Sequence, residues 1–197
     1  TNPNCSTIGM ALALKPLYDN FGLEAVNVVT LQAVSGAGYP GLPSLDIIDN
    51  IVPFIGGEEK KMETEPLKIL GKLGNKKIDF ANIKFSAQCN RVGVIDGHTE
   101  CVQVKLEKNY KSLPQELNLP SAPINPIVYL YEEKYPQPKI HRNIEKGMAA
   151  SIGRLRECSL FDYKFVVLSH NTIRGAAGGT ILIAELMKAK GYLDKIL

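Results

Sequence analysis

Hydrophobic and polar positions in the first part of the chain predict a helix followed by a buried strand. Ile8 and Leu12 recur at helical spacing behind Asn4, a residue type that caps helix N-termini. Residues 23–34 are rich in Val and Leu, which is typical of a strand buried in a sheet. The Gly/Pro-rich segment 36–43 predicts the loop that ends this strand.

The next segment carries two helical patterns. Ser44 can cap a short helix that runs through Asn50. Residues 58–73 combine many charges with spaced apolar residues, and we expect a surface helix there. Pro66 falls inside this pattern and predicts a kink or a division of the helix, because proline lacks an N–H and clashes with the preceding turn.

Two strand-like runs, residues 83–95 and 99–106, are separated by Asp96-Gly97. This dipeptide favours a tight turn because it tolerates positive φ, so we predict that the two strands pair as a hairpin. His98 directly follows the turn, and we expect it to be exposed at the rim of a loop.

The rest of the chain predicts further strands and a closing helix. Six of the twelve prolines lie in residues 109–138, which indicates a long excursion with one short strand at 127–131. Residues 149–157 and 163–169 predict two more strands, and residues 173–191 predict the last helix. The whole pattern indicates one mixed α/β (α+β) domain, with a substantial, largely antiparallel sheet and helices packed on it.

Composition and charge exclude several classes of partner. Of 197 residues, 45% are apolar and 22% are charged, and the net charge is +3 with no block of Lys or Arg longer than two. We expect neither nucleic acid nor an anionic membrane surface to bind so dispersed a positive charge. Glycines and prolines break the longest nearly uncharged stretch, so we expect no membrane span, and no signal peptide is recognisable.

The four cysteines, Cys5, Cys89, Cys101 and Cys158, show no paired spacing. This usage favours a reducing compartment, so we expect a cytoplasmic protein, and no Cys/His set has metal-ligand spacing. The last three lie in strand-like runs, where packing in the core is the expected role. The chain opens as Thr1-Asn2-Pro3-Asn4 without Met and enters a helix at once, so we expect that N-terminal sequence is missing.

A cysteine and a histidine are the first candidates for chemistry. Cys5 lies in the first turn of the predicted helix, where backbone N–H groups and the helix dipole stabilise a thiolate. The N–H groups of Cys5, Ser6 and Thr7 could also stabilise an oxyanion when that thiolate attacks a carbonyl. His98 could exchange protons near neutral pH. Each residue alone is equally consistent with a packed cysteine or a plain turn histidine, but together they suffice for covalent catalysis at a carbonyl.

Charged side chains add candidate binding groups. Arg91 lies seven residues before His98 and either holds a carboxylate through two hydrogen bonds or is an ordinary surface charge. Glu58 and Lys61 are three residues apart in a predicted helix, so they face the same way. They either meet charges on a ligand or form a local ion pair.

The loop Gly36-Ala37-Gly38-Tyr39-Pro40-Gly41 has the glycine spacing of a dinucleotide-binding fingerprint. Pro40 lacks a backbone N–H, and no βαβ continuation with an acidic strand end follows, so the match is poor. A loop whose glycines let a ligand approach the backbone remains the functional interpretation.

Four segments spread over almost the whole chain carry a resemblance to a known family: Asn2-Pro3-Asn4-Cys5-Ser6-Thr7, Leu31-Gln32-Ala33-Val34-Ser35-Gly36-Ala37-Gly38-Tyr39-Pro40-Gly41, Asn90-Arg91-Val92-Gly93-Val94-Ile95-Asp96-Gly97-His98 and Ser169-His170-Asn171-Thr172-Ile173-Arg174-Gly175-Ala176-Ala177-Gly178. In this order they resemble the aspartate-semialdehyde dehydrogenases of the archaeal and fungal-type branch. The resemblance implies a fold like the C-terminal domain of glyceraldehyde-3-phosphate dehydrogenase.

The resemblance also implies a domain organisation. Residues 1–197 would form the catalytic and dimerisation domain, and the N-terminal Rossmann domain with which family members bind NADP would be missing from this chain. A homodimer or homotetramer is expected. We therefore expect the isolated chain to fold but not to oxidise substrate.

The implied reaction is the reversible, phosphate-dependent oxidation of L-aspartate 4-semialdehyde to 4-phospho-L-aspartate with NADP. It serves the biosynthesis of lysine, threonine, methionine and isoleucine. In that role Cys5 would be the nucleophile, passing through a thiohemiacetal and then a thioester, and His98 would be the acid/base that moves the proton.

The resemblance assigns substrate roles to four further residues. Arg91 and Gln32 resemble substrate-binding positions, with Arg91 on the α-carboxylate. Glu58 resembles the partner of the substrate amino group, and Lys61 resembles the phosphate ligand.

Three residues resemble cofactor contacts. Ser35 and Gly36 are similar to the loop that touches the nicotinamide end of NADP. Asn171 is similar to a cofactor contact that precedes the last helix. The missing domain would decide the preference for NADP over NAD.

Two other functions stay open on the sequence. A malonyl-CoA reductase on the same scaffold would keep the thiol and the histidine without needing an amino-acid clamp, whereas Asn90-Arg91 favours the semialdehyde dehydrogenase. A non-catalytic assembly domain would keep only the fold and the dimer surface. Against it stands the joint presence of Cys5, Gln32, Arg91 and His98.

Overall fold

The computed structural model describes residues 2–108, 119 and 126–193. The α-helices in these ranges are α1 (Cys5–Phe21), α2 (Ser44–Ile47), α3 (Glu58–Ile69), α4 (Pro138–His141) and α5 (Gly178–Ala189). The strands are β1 (Leu23–Gln32), β2 (Ile51–Val52), β3 (Lys72–Leu73), β4 (Ile78–Asp79), β5 (Lys84–Val92), β6 (His98–Leu106), β7 (Ile127–Leu130), β8 (Ala150–Glu157) and β9 (Tyr163–Ser169).

Seven strands form the main sheet in the order β2-β5-β1-β6-β9-β8-β7. The β1/β5 and β7/β8 pairs are parallel and the other pairs are antiparallel. The prediction of a mixed, largely antiparallel sheet with helices packed on it is therefore confirmed. Strands β3 and β4 pair separately as a small antiparallel ribbon.

The predicted hairpin between β5 and β6 is wrong, because β1 lies between these two strands and pairs with both. A turn dipeptide reports only on sequence neighbours, whereas buried β1 must satisfy backbone groups on both of its edges. The connection does contain a turn glycine, since Gly97 has φ +100°. The consequence is that Gln32, Arg91 and His98 meet at one edge of the sheet, with Gln32 directly opposite Arg91.

Helix α1 covers one face of this sheet. Its side chains Met10, Leu14 and Leu17 are fully buried, and they belong to the same core cluster as apolar side chains of β1 and β9. Asn4 caps the helix as predicted, because its Oδ1 accepts from the N–H groups of Ser6 at 2.9 Å and Thr7 at 3.4 Å. The cap holds the start of α1 at the edge of the sheet where β1 ends.

Several local predictions need correction. Ser44 does not cap α2 but is its first residue, and the helix ends at Ile47, short of Asn50. Pro66 lies inside α3 without dividing it, since the helix continues to Ile69. Met62 in the same helix is fully buried, so α3 packs one side onto the core.

The C-terminal predictions hold where the structure describes the chain. Residues 109–118 and 120–125 of the predicted excursion lie outside the described residues, and β7 confirms the short strand within 127–131. The closing helix begins as a π-helical turn, Ile173–Ala177, and continues as α5. No helix in the described ranges has the length and apolar character needed to cross a membrane.

Candidate active site

Cys5 and His98 meet at the edge of the sheet, with 3.2 Å between Cys5 Sγ and His98 Nε2. Cys5 is the first residue of α1 and His98 is the first residue of β6. The expectation that His98 is exposed is wrong, because its relative exposure is 0%. β6 runs between β1 and β9 within the sheet, so its first residue does not lie at a loop rim.

A backbone group orients the His98 ring. The N–H of Ala33 donates to His98 Nδ1 at 3.1 Å, which leaves Nε2 facing Cys5. Burial lowers the pKa of His98 to about 3, and the charges of Arg91 and His170 act in the same direction. The ring is therefore neutral at physiological pH.

The thiol of Cys5 is protonated in the resting site. Burial, followed by the Glu58 carboxylate and to a smaller extent Glu100, raises its pKa to about 11. The backbone N–H groups of Cys5 and Ser6 do lower this pKa, as expected for a helix start, but burial outweighs them. The stabilising effect of the helix N-terminus on a thiolate is therefore present, but it is smaller than the effect of burial.

The predicted three-amide oxyanion site is also incomplete. The N–H groups of Ser6 and Thr7 both donate to the capping side chain of Asn4. Capping and oxyanion binding compete for the same donors at a helix start, and the cap has taken two of the three. Of the predicted set, only the N–H of Cys5 is not used by the cap.

Arg91 is a buried cation, only 5% exposed, which excludes a surface role. Its Nη1 donates to the carbonyl of Ala33 at 2.8 Å. Burial lowers its pKa, although the nearby Cys5 and Glu58 groups oppose that change. Within the described part of the chain no carboxylate lies at ion-pair distance from Arg91. A buried guanidinium in this state suits an anionic ligand.

Glu58 is the centre of a second polar group and is only 7% exposed. Its carboxylate accepts from Asn4 Nδ2 at 2.9 and 2.8 Å and from Gln32 Nε2 at 3.3 Å. Lys61 Nζ lies 3.5 Å from Glu58 Oε1, so the predicted shared face of these two residues is confirmed. The structure thus brings Gln32, Glu58 and Lys61 together beside the Cys5 region.

The Gly/Pro loop approaches Arg91 and His98 at Gly36. A Cβ on Gly36 would lie 2.8 Å from Arg91 Nη1 and about 3 Å from the His98 ring. Asn171 supports this loop, because its Nδ2 donates to Ser35 Oγ at 2.8 Å and its Oδ1 accepts from Gly97 N–H at 2.9 Å. Ser35, Gly36 and Asn171 therefore share one rim of the site.

Three groups were missed by sequence reasoning. A Cβ on Gly175, in the π-helical turn, would lie 2.8 Å from Cys5 Cβ, so this turn packs directly on the cysteine. Glu100 is fully buried, and burial raises its pKa well above the ordinary value. Its position two residues after His98, on the same strand face, is a signal that strand periodicity contains. The Ala33 amide has no side-chain signal at all.

The other three cysteines differ in burial. Cys89 is fully buried, as expected for core packing. Cys101 is exposed on the opposite face of the sheet, and Cys158 is partly exposed and follows the end of β8, so the core prediction is wrong for both. All four cysteines are free thiols.

Comparisons with known proteins identify the family of the chain. Residues 14–174 match the family described as "Semialdehyde dehydrogenase, dimerisation domain". An aspartate-semialdehyde dehydrogenase of Methanothermobacter thermautotrophicus is 50% identical over 201 residues, covering 95% of this chain and 58% of that protein. One of Schizosaccharomyces pombe is 49% identical over 212 residues, covering 98% of this chain and 59% of that protein.

Solved structures are similar as well. An aspartate semialdehyde dehydrogenase with NADP from Candida albicans matches with a TM-score of 0.83 and 44% identity, over 96% of this chain and 57% of that chain. A Vibrio cholerae aspartate semialdehyde dehydrogenase II complexed with ASA matches with a TM-score of 0.73 and 29% identity, over 95% of this chain and 61% of that chain.

The chain therefore spans less than two thirds of the length of each of these relatives. The family match nevertheless covers most of the chain. It includes the segments that carry Glu58, Arg91 and His98. On these findings the chain belongs to the semialdehyde dehydrogenase family, as its dimerisation domain.

Proposed function

We propose that this protein catalyses the reversible NADP-dependent oxidative phosphorylation of L-aspartate 4-semialdehyde to 4-phospho-L-aspartate. The observation that carries the proposal is the 3.2 Å approach of Cys5 Sγ to His98 Nε2 beside the buried cation Arg91. A thiol nucleophile with a proton-bearing imidazole suits attack on an aldehyde, and the guanidinium suits the carboxylate of an amino acid.

The proposed roles follow from position. Cys5 is the nucleophile that forms a thiohemiacetal and then a thioester, and His98 is the group that interacts with the reacting oxygen. Arg91 holds the α-carboxylate, and its lack of a carboxylate partner in the described residues supports this role. Glu58 and Gln32 bind the amino group of the substrate. The hydrogen bond between their side chains supports this shared role.

Lys61 is the proposed phosphate ligand. Its ammonium group lies 3.5 Å from Glu58 Oε1, yet its side chain is 53% exposed. It can therefore leave this pair at little cost when a phosphate oxygen enters the site, because an exposed ion pair contributes little to stability.

The rim formed by Ser35, Gly36 and Asn171 fits the nicotinamide end of NADP. Gly36 supports this proposal because a Cβ there would lie 2.8 Å from Arg91 Nη1 and about 3 Å from the His98 ring, so the backbone of this loop lies directly against both side chains. Ser35 and Asn171 hold each other through their 2.8 Å hydrogen bond and present the loop. NADP would supply the hydride acceptor of the reaction.

The domain role, assembly and location are proposed together. Residues 1–197 act as the catalytic and dimerisation domain, beside an N-terminal domain that binds the rest of the NADP molecule. The protein acts in the cytoplasm. The sheet face opposite α1 supports a homodimer, because it carries the half-buried side chains Ala25, Val29 and Leu31. A homotetramer would be a pair of such dimers.

The test is NADPH formation by the intact protein from aspartate semialdehyde, with and without phosphate. Wild type is compared with Cys5→Ser and with Cys101→Ser, a matched control on the opposite face of the sheet. We expect phosphate-dependent turnover in wild type and Cys101→Ser and its loss in Cys5→Ser.

Two outcomes would overturn the proposal. Consumption of NADPH with malonyl-CoA, without turnover of the semialdehyde, would agree with Cys5 as the nucleophile. It would contradict the proposed substrate and the proposed role of Arg91. Unchanged turnover in Cys5→Ser would remove the nucleophile and return the chain to a non-catalytic assembly role.

A further inference from the structure

One face of α3 lies along the start of α1. Glu58, Met62 and Glu65 recur at helical spacing, so they share this face. Met62 Sδ accepts from the Thr7 hydroxyl at 3.6 Å, and Glu58 accepts from the side chain of Asn4. Glu65 Oε2 accepts from the backbone N–H of Asn4 at 2.7 Å. This face therefore holds the first turn of α1 and the residue that precedes it.

Asn4 directly precedes Cys5, and its polar groups are all hydrogen bonded. Its side chain bonds Glu58 and caps α1, and its carbonyl accepts from the N–H of Ile8 at 3.2 Å. The remaining group is the backbone N–H of Asn4, which Glu65 ties to α3. Because one peptide bond separates Asn4 from Cys5, this contact bears directly on where the thiol lies.

Two other carboxylates of α3 contact a different element. Glu59 and Glu63 accept at 3.2 Å from the backbone N–H groups of Cys89 and Ala87, respectively. Both N–H groups lie on β5, whose outer edge β2 covers only at the last two residues of the strand. Glu63 and Glu65 are both half-buried, and each accepts from one backbone N–H. Glu63 is therefore a matched comparison for Glu65, with a strand as its partner instead of the helix that carries the thiol.

We propose that Glu65 is a positioning residue for the nucleophile. Its carboxylate fixes the backbone of Asn4, and thereby the point at which α1 begins and the place of Cys5 Sγ. A hydrogen bond from an amide to a carboxylate suits this role, because it is typically shorter and stronger than a bond between neutral groups. The effect on the reaction rests on the proposed function, whereas the contact itself does not.

The proposed substrate-binding groups do not depend on this contact. In the part of the chain that the structure describes, no hydrogen bond or ion pair joins Glu65 to Gln32, Lys61 or Arg91. Loss of the Glu65 contact would therefore let the first turn of α1 shift while the bound substrate keeps its place. A nucleophile displaced from the carbon that it attacks slows the chemical step without weakening ground-state binding.

The kinetic test compares variants of the intact protein with aspartate semialdehyde as the substrate. Glu65→Ala removes the acceptor, and we expect kcat to fall about tenfold or more while the KM for the semialdehyde stays within about twofold of wild type. Glu65→Gln keeps an acceptor oxygen and should retain kcat within about threefold. Glu63→Ala loses a comparable contact to β5 and should keep the kcat of wild type.

Three kinetic results would overturn the proposal: an unchanged kcat in Glu65→Ala, an equal fall of kcat in Glu63→Ala, or a rise in KM as large as the fall in kcat. Each would show a contact that supports only the fold. Glu65→Asp serves if the alanine variant does not fold. Its carboxylate is shorter by one methylene group, so it should lose kcat in the same way.

The contact itself is tested without substrate, by hydrogen–deuterium exchange at the Asn4 amide. We expect a protected amide in wild type, in Glu65→Gln and in Glu63→Ala, and exchange faster by about tenfold or more in Glu65→Ala. Equal exchange in wild type and Glu65→Ala would overturn the proposal. If wild type shows the expected exchange but does not turn over the semialdehyde, the proposed function alone is rejected.

Discussion

Asn4 joins Glu58 to the start of the helix that carries Cys5. Its Nδ2 lies 2.9 and 2.8 Å from the two carboxylate oxygens of Glu58, while its Oδ1 caps α1. One side chain thus holds both the start of the helix that carries the proposed nucleophile and the carboxylate proposed to bind the substrate amino group. The two functions of this side chain can be separated by mutation.

Asn4→Ser keeps an N-cap oxygen but removes the amide that holds Glu58, whereas Asn4→Ala removes both. We expect Asn4→Ala to lose about 1 kcal/mol more unfolding free energy than Asn4→Ser, because only the alanine loses the cap. Both should lose kcat/KM for the semialdehyde to a similar degree. Urea unfolding and steady-state kinetics measure the two effects, and a serine variant with wild-type kcat/KM would contradict the positioning of Glu58.

Gly36→Ala should damage the site while leaving the fold intact. The new methyl group would lie 2.8 Å from Arg91 Nη1 and about 3 Å from the His98 ring, so both side chains must shift. We expect kcat/KM to fall on the order of 100-fold, the effect of a misplaced catalytic group. The matched control is Gly56→Ala, where a Cβ meets nothing within 4 Å. Equal activities of the two variants would contradict the prediction.

Gly175→Ala should lower stability as well as activity. Its Cβ would lie 2.8 Å from Cys5 Cβ and 3.0 Å from Cys5 Cα, which are part of the helix and cannot move alone. We expect a loss of about 1–3 kcal/mol in unfolding free energy, typical of overpacking. Thermal and urea unfolding would measure it, and an unchanged unfolding midpoint would show that the π-helical turn can shift away from Cys5.

Glu100 should make stability depend on pH. Because burial raises its pKa in the folded protein, the folded state keeps a proton that the unfolded chain releases above about pH 4.3. The Glu100 contribution to unfolding free energy therefore falls as pH rises from there toward the raised folded pKa. Glu100→Gln removes this titrating carboxyl group. The unfolding free energy of the variant, relative to that of wild type, should therefore grow between about pH 5 and about pH 8. Parallel stability curves for the two proteins would contradict a protonated Glu100.

Lys61→Ala should affect phosphate and not folding. Lys61 is half exposed, and the buried Glu58 carboxylate keeps its hydrogen bonds from Asn4 and Gln32 without it, so we expect the substitution to cost only about 1 kcal/mol or less of unfolding free energy. We expect the KM for phosphate to rise while the KM for the semialdehyde changes little. Lys15→Ala, which breaks another exposed ion pair, is the control. An equal change in both KM values would place Lys61 on the substrate instead.

Much of the secondary structure could be predicted because its signals are local. The Asn4 cap and the apolar spacing behind it specify α1, and the Val-rich run specifies β1. Local signals did not predict which strands pair with each other in the sheet. Asp96-Gly97 indicates a turn, but no local pattern says that β1 lies between the strands on either side of it.

The candidate site was likewise predictable only in part from the sequence. The sequence predicted Cys5 and His98 from residue type and position, and the resemblance added Gln32, Arg91 and Glu58. Burial was not predictable from the sequence, and it is the largest cause of the pKa shift of both candidate groups. The pKa of Cys5 rises to about 11 and that of His98 falls to about 3.

The sequence by itself determined most of the helix and strand content, the candidate nucleophile and its candidate partners, since these depend on residue type and short-range spacing. Only the tertiary structure decided the strand order, the burial of His98 and the contact of Ala33 N–H with its ring. These properties depend on groups far apart in the chain, such as Ala33 and His98, which are separated by 65 residues. Their proximity comes from packing the whole sheet against α1, which no local pattern encodes.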